Sequence, residues 1–153
     1  MNTLIDEIKL IGLSLANKTT NLNGQSYTDC KNLWHQFENL KYADIIPEKL
    51  SDEIFGVYYG YEGDNTKPFN YFIGCKVNSF LTLPKGLQCF TIPGGLYHKI
   101  IVNGTMPECM FEAWKKIWVT PFKRTYLVDF EVYDERSKDW DNAEVDMYIS
   151  VKG

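Results

Sequence analysis

Apolar residues recur at steps of three and four in two segments of this chain and alternate with polar ones through much of the rest. Cys30, Leu33, Trp34, Phe37 and Leu40 make one stripe, which predicts an amphipathic helix over residues 28–40. Pro47 forbids a long continuation. Met110, Phe111, Trp114, Ile117 and Trp118 make a second stripe and predict a helix over residues 107–118, closed by Pro121. Thr105-Met106-Pro107-Glu108 ahead of it reads as a capping box with proline in the first turn. Strand-rich residues 55–61 and 71–77 flank the turn Glu62-Gly63-Asp64-Asn65 and predict a hairpin. Residues 87–92 and 97–102, joined by Pro93-Gly94-Gly95, read as a second hairpin, and residues 126–133 with 143–151 as a third. Residues 8–15 fit a short strand or a frayed helix, and Gly12 and Ser14 favour the strand.

An internal repeat organises these elements. Cys30-x3-Trp34-x2-Phe37 on the first helix echoes Cys109-x4-Trp114-x2-Ile117 on the second, and each helix is followed by a strand ending in Tyr61 or Tyr133, a turn, and an apolar returning strand. Each half therefore reads strand, helix, strand, strand, over residues of about 6–80 and about 86–152. Units of about 75 residues bury too little surface to stand well alone. They predict one α+β domain over residues 1–153, with a pseudo-twofold axis and a cleft at the junction.

Composition narrows the classes of function. The net charge of −4 leaves no basic footprint for a nucleic-acid backbone, so direct nucleic-acid binding is not expected. No apolar run approaches the ~20 residues of a membrane span, and the acidic start Met1-Asn2-Thr3-Leu4-Ile5-Asp6-Glu7 lacks the basic region of a signal peptide. Cys30, Cys75, Cys89 and Cys109 are scattered with no C-x-x-C, and His35 and His98 are the only histidines. The expectation is a cytoplasmic protein with reduced thiols and neither metal nor cofactor. No nucleophile elbow, phosphate loop or zinc-protease motif is present. Lys115-Lys116 and Lys123-Arg124 read as a solvated face.

The unusual quantity is the aromatic content of 15%, from ten Tyr, nine Phe and four Trp. Tyr58, Tyr59, Tyr61, Tyr97, Tyr133 and Tyr148 all fall on expected strands. In residues 126–133, Tyr126, Val128, Phe130 and Val132 share one face, expected to lie under the helices. Leu127, Asp129, Glu131 and Tyr133 share the other, where plain solvent exposure competes with a different use. A carboxylate among tyrosine faces suits a lipophilic cation, through ring quadrupoles and one countercharge. Trp114 and Trp118, one turn apart, fit either core or a ligand wall.

The ordered motifs Phe55-x-Val57-Tyr58-Tyr59, Phe72-Ile73-Gly74-x-x-Val77, Thr91-Ile92-Pro93-Gly94-Gly95-Leu96-Tyr97, Trp114-x-x-Ile117-Trp118, Phe130-Glu131-x-Tyr133 and Val145-Asp146-Met147-Tyr148-Ile149-Ser150-Val151 resemble the GyrI-like effector-binding domain. That domain is the ligand-sensing half of many AraC-type and MerR-type bacterial transcription regulators and also occurs alone. The resemblance spans residues of roughly 8–151. It implies duplicated β-α-β-β units forming one antiparallel, barrel-like sheet with two helices and a central ligand cleft. It also implies a pocket with Glu131 at its centre, lined by Tyr148, Tyr97, Tyr58, Tyr59, Trp114 and Trp118. Ser150 stands where the family often has proline, which touches the rim of the last strand.

A helix-turn-helix reader would need dozens more residues than this domain leaves. The leading expectation is therefore a stand-alone protein that senses or sequesters aromatic or cationic amphiphiles, with Glu131 as countercharge. One alternative, implied by hydrolytic relatives, is breakdown of reactive electrophiles in the same pocket, with Glu131 as general acid or base and Tyr148 as a hydrogen-bond donor. Another is a protein-interaction module, as in gyrase-inhibiting relatives, a regulator partner in trans, or a homodimer. For that reading the acidic residues Asp129, Asp134, Glu135, Asp139, Asp141 and Glu144 would meet a basic surface.

Overall fold

In a computed structural model describing residues 1–153, the chain runs β1 (Asn2–Ile5), β2 (Ile8–Ser14), α1 (Gln25–Asn39), α2 (Tyr42–Ile45), β3 (Lys49–Tyr59), β4 (Asn70–Val77), β5 (Gln88–Ile92), β6 (Gly95–Gly104), α3 (Glu108–Val119), β7 (Val128–Tyr133) and β8 (Ala143–Ser150). The strands form one sheet in the order β1-β6-β8-β7-β3-β4-β2-β5, and every pairing is antiparallel. That order maps onto itself when β1–β4 exchange with β5–β8. The pseudo-twofold axis lies between β3 and β7, where Gly56 faces Glu131. Each unit carries two leading strands where the repeat reads one: β1 was not expected, whereas β5 and β6 both were, and the four-residue α2 is additional.

The expected hairpins β3–β4 and β7–β8 are present. The expected pairing of residues 87–92 with 97–102 is not: both are strands, but β5 pairs with β2, and β6 with β1 and β8. Two residues, Pro93-Gly94, carry the chain from one margin of the sheet to a strand beside the other, and Asp6-Glu7 do the same between β1 and β2. Such links span roughly 11 Å at most, so the sheet must curl until its margins nearly meet.

Curling gives the sheet two unlike faces. Its concave interior gathers Ile8, Leu10, Phe55, Val57, Phe72, Ile92, Tyr97, Val128, Phe130 and Val132. On the outer face α1 packs Leu33 and Phe37 onto Ile11, Ile73 and Val77, while α3 packs Met110 and Ile117 onto Val145, Met147 and Ile149. The expected assignment of β7 is thus reversed. Val128, Phe130 and Val132 fill the interior, and Asp129, Glu131 and Tyr133 are the residues that face the helices. Both sets are buried except for the half-buried Tyr133, because the strand is central in the sheet. Leu40 is exposed rather than part of the α1 stripe. The capping box does not form; Pro107 precedes α3 with no side-chain cap, and the Thr105 hydroxyl donates instead to the Asp141 carbonyl. No helix is long and apolar enough to cross a membrane.

Gly12 and Gly74 lie opposite each other where β2 crosses β4. A Cβ on Gly12 would run into the Ile73 carbonyl, and one on Gly74 would sit 2.7 Å from the Ile11 carbonyl. The strands approach too closely there for any side chain. Gly12→Ala is expected to lower the unfolding free energy by about 1–3 kcal/mol, as overpacking does, with an unchanged denaturant slope in urea titration.

Candidate functional site

The two helices leave a trough between them along the outer face of β3 and β7, a cavity of about 1350 Å³. Glu131, Tyr58, Tyr71 and Tyr133 form its floor. Tyr27, Cys30 and Trp34 come from α1, and Met110, Phe111, Trp114 and Trp118 from α3; Trp140, beyond β7, and Arg124 also line the cleft. The rings contact each other around the acid. Tyr58 packs against Trp114 and Tyr71, each at 4.8 Å between centroids, and Trp34 against Tyr133 at 5.0 Å. Across the trough, Tyr27 meets Phe111 edge to face at 5.0 Å.

Glu131 is 1% exposed. Tyr133 Oη donates to its Oε1 at 2.7 Å, and Tyr58 Oη and Trp114 Nε1 donate to its Oε2, each at 3.0 Å. It takes part in none of the chain's ion pairs. Burial raises its pKa above the ordinary 4.5, and the three donors pull partly the other way. The neighbouring phenols of Tyr58, Tyr71 and Tyr133 are pushed well above 10.0 by burial and then by the Glu131 charge, so they remain donors. Gly56 makes the cluster sterically possible. A Cβ there would collide with the Tyr71 hydroxyl and lie 3.4 Å from Glu131 Oε1.

Asp129, two residues earlier on β7, shows the contrast. It is fully buried and its acceptors are filled: Ser150 N and Oγ donate to Oδ1 at 2.8 and 3.2 Å, and Tyr61 Oη and Arg124 Nη2 donate to Oδ2, both at 2.7 Å. The Ser150 amide makes one of these bonds, which proline at that position could not. Asp129 is therefore not part of an acidic surface, and Asp134 and Glu144 are engaged by Arg136.

Of the seven residues expected in the pocket, the structure brings together Glu131, Tyr58, Trp114 and Trp118. Tyr59, Tyr97 and Tyr148 do not join them; they pack on the concave core. Strand parity is the reason, since Tyr59 follows Tyr58 and must point oppositely. Tyr148 stacks on Phe130 at 4.6 Å, Tyr97 donates to the Pro93 carbonyl at 2.7 Å, and Tyr59 hydrogen-bonds Ser14 at 2.6 Å. Trp34, Tyr71 and Trp140 were not anticipated in the cleft. The Trp34–Trp114 match within the repeat was the available signal for Trp34. No group of three or more His, Cys, Asp or Glu is arranged to hold a metal ion, and all four cysteines are unpaired.

A curled pseudo-twofold sheet with helices flanking a cleft over a buried acid is the architecture of an effector-binding domain. Residues 3–151 match the Cass2 family, integron-associated effector-binding proteins, and the chain belongs to that family. YobU, a candidate transcriptional regulator protein of Bacillus subtilis (strain 168), is 25% identical over 124 residues, 78% of each chain. An integron cassette protein from the mobile metagenome of Vibrio cholerae has the same fold at a TM-score of 0.75, with 24% identity over 99% of this chain and 95% of that one. SAV2435, solved bound to tetraphenylphosphonium, superposes at 0.77 with 15% identity over 100% of this chain and 93% of its own. These matches agree with the effector-domain resemblance carried by the sequence motifs.

Because Glu131 ionises at a higher pH in the folded chain than in the unfolded one, the native state holds more protons above pH 4.5, and stability falls as pH rises through that window. Glu131→Gln removes the titration yet keeps the bonds. The amide oxygen accepts from Tyr58 and Trp114, and the amide nitrogen donates to the Tyr133 oxygen. The stability of wild type relative to Glu131→Gln is therefore expected to decline as pH rises from about 4.5 and to level off once Glu131 is ionised in the folded chain as well, read by thermal unfolding of both proteins.

Proposed function

We propose that the cleft binds lipophilic aromatic cations and that the chain acts as a ligand-sensing or ligand-sequestering module. The observation that carries this reading is Glu131: a buried carboxylate held by three neutral donors, with no cation of its own. Neutral hydrogen bonds offset only part of the cost of burying a charge, and an entering cation supplies the rest. The surrounding faces of Trp34, Tyr58, Trp114 and Tyr133 add quadrupole attraction, about 2 kcal/mol for each desolvated contact. A few such contacts with the countercharge and apolar burial reach the roughly −8 kcal/mol of micromolar affinity. The volume of about 1350 Å³ suits a multi-ring compound. The cation bound to SAV2435, which shares the fold, supports the same ligand class.

Tetraphenylphosphonium is expected to bind with micromolar affinity and raise the unfolding midpoint. Glu131→Gln should weaken it at least ~tenfold, the worth of about 1.4 kcal/mol, while a neutral triaryl compound such as triphenylmethane changes little. Equal losses for both compounds in calorimetry would remove the countercharge role. Affinity for the permanent cation should also fall as pH drops through the raised ionisation of Glu131, with a proton released on binding in that window.

Crowding the cleft floor gives a separate check. Gly56→Ala displaces the Tyr71 ring, and is expected to weaken cation binding and destabilise the fold by about 1–3 kcal/mol. Unchanged affinity in the folded variant would place Tyr71 outside the ligand's reach.

A further inference from the structure

Arg124 lines the same cleft, with a side chain 4% exposed. One of its nitrogens, Nη2, donates to Asp129 at 2.7 Å, but Nε and Nη1 are buried with no hydrogen-bond partner. Asp129 cannot take them, since Ser150 and Tyr61 already share its two oxygens with Nη2. The guanidinium is instead enclosed by rings. Its centre lies 4.2 Å from the Tyr126 centroid and 5.9 Å from those of Tyr61 and Trp114. Ring faces attract the charge but accept N–H bonds weakly. Buried donors left without an acceptor are rare in folded proteins because the desolvation is uncompensated.

We infer that the Arg124 end of the cleft is a second ligand subsite, which takes an acceptor oxygen of the carbonyl type on the bound cation. The inference rests on the proposed cation site and extends it. Charge chooses the acceptor. Arg124 and Asp129 together are neutral, so a carboxylate or sulfonate placed there would meet the Asp129 charge with no net positive field. A neutral carbonyl oxygen takes the free N–H groups without that repulsion. Trp114 connects the two subsites, donating to Glu131 at 3.0 Å while its ring lies against Arg124. One aromatic ligand along Trp114 would put its cationic centre at Glu131 and its oxygen at Arg124. Tyr61 also lines the cleft, so a ligand would reach the guanidinium by displacing the Tyr61 ring while Trp114 keeps its bond to Glu131.

The test uses two triphenylphosphonium cations whose fourth ring carries a para methyl ester or a para sec-butyl group of similar size. The ester should bind the wild-type chain about tenfold more tightly, one hydrogen bond to a charged donor. The Arg124 Nε–H resonance should shift with the ester alone in nitrogen–proton NMR. The paired change Arg124→Met with Asp129→Asn removes both charges together. It should erase the ester's advantage, read as the ratio of ester to sec-butyl affinity within that variant. Should that variant not fold, the wild-type resonance decides. Equal binding of ester and sec-butyl cations with an unmoved Nε–H, while tetraphenylphosphonium still depends on Glu131, overturns this subsite alone. Failure of all three cations to bind overturns the cation site and the subsite with it.

Discussion

A single carboxylate, Glu131, stands at the pseudo-twofold axis of the sheet, and the surrounding structure is arranged around the cost of burying it. Three donors from three elements reach it: Tyr58 on β3, Trp114 on α3 and Tyr133 on β7. Each is aromatic, so satisfying the charge and building an apolar cleft are accomplished by the same side chains. The opposite residue on β3 is Gly56, which leaves room for the Tyr71 hydroxyl. Trp34 in turn donates to that hydroxyl at 3.0 Å, tying α1 to the floor as Trp114 ties α3. The two tryptophans are repeat counterparts and play matching parts, one on each side of the axis.

Two buried acids on one strand have opposite fates. Asp129 has a dedicated arginine, two bonds from Ser150 and one from Tyr61, and it joins β7 to the end of β8. Glu131 has donors but no cation. Asp129, with both oxygens filled, has nothing left to offer a ligand, whereas an uncompensated charge in an aromatic trough remains an electrostatic demand. The division of labour depends on the curl of the sheet, because curling sends Phe55 and Val57 of β3 and Val128, Phe130 and Val132 of β7 inward and leaves the outer face of these two strands to the cleft. The two-residue links Asp6-Glu7 and Pro93-Gly94 impose that curl.

Much of this architecture was legible along the chain. Both long helices, the duplication, two of the three hairpins and the identity of the central acid follow from periodicity, repeat spacing and motif order. Local signals of that kind are read over a few residues, and neighbours in sequence supply them. The pairing of β5 and β6 with distant strands was not legible, since a Pro-Gly link between two apolar runs looks the same whether it turns a hairpin or crosses a seam. The aromatic inventory was also visible without its sorting: Tyr58 and Tyr59 are equivalent as letters.

What the sequence by itself determined is the supply: amphipathic stripes, alternating strands, a surplus of tyrosine and tryptophan, and an acid among them. What only the tertiary structure decided is which face of the sheet became the interior. That choice sends Tyr59, Tyr97 and Tyr148 into the core, and brings Tyr58, Tyr71, Tyr133, Trp34 and Trp114 around Glu131. The physical reason is that alternation assigns residues to two faces but does not say which face the helices will cover. Closure of the sheet margins, a contact between residues far apart in the chain, settles it.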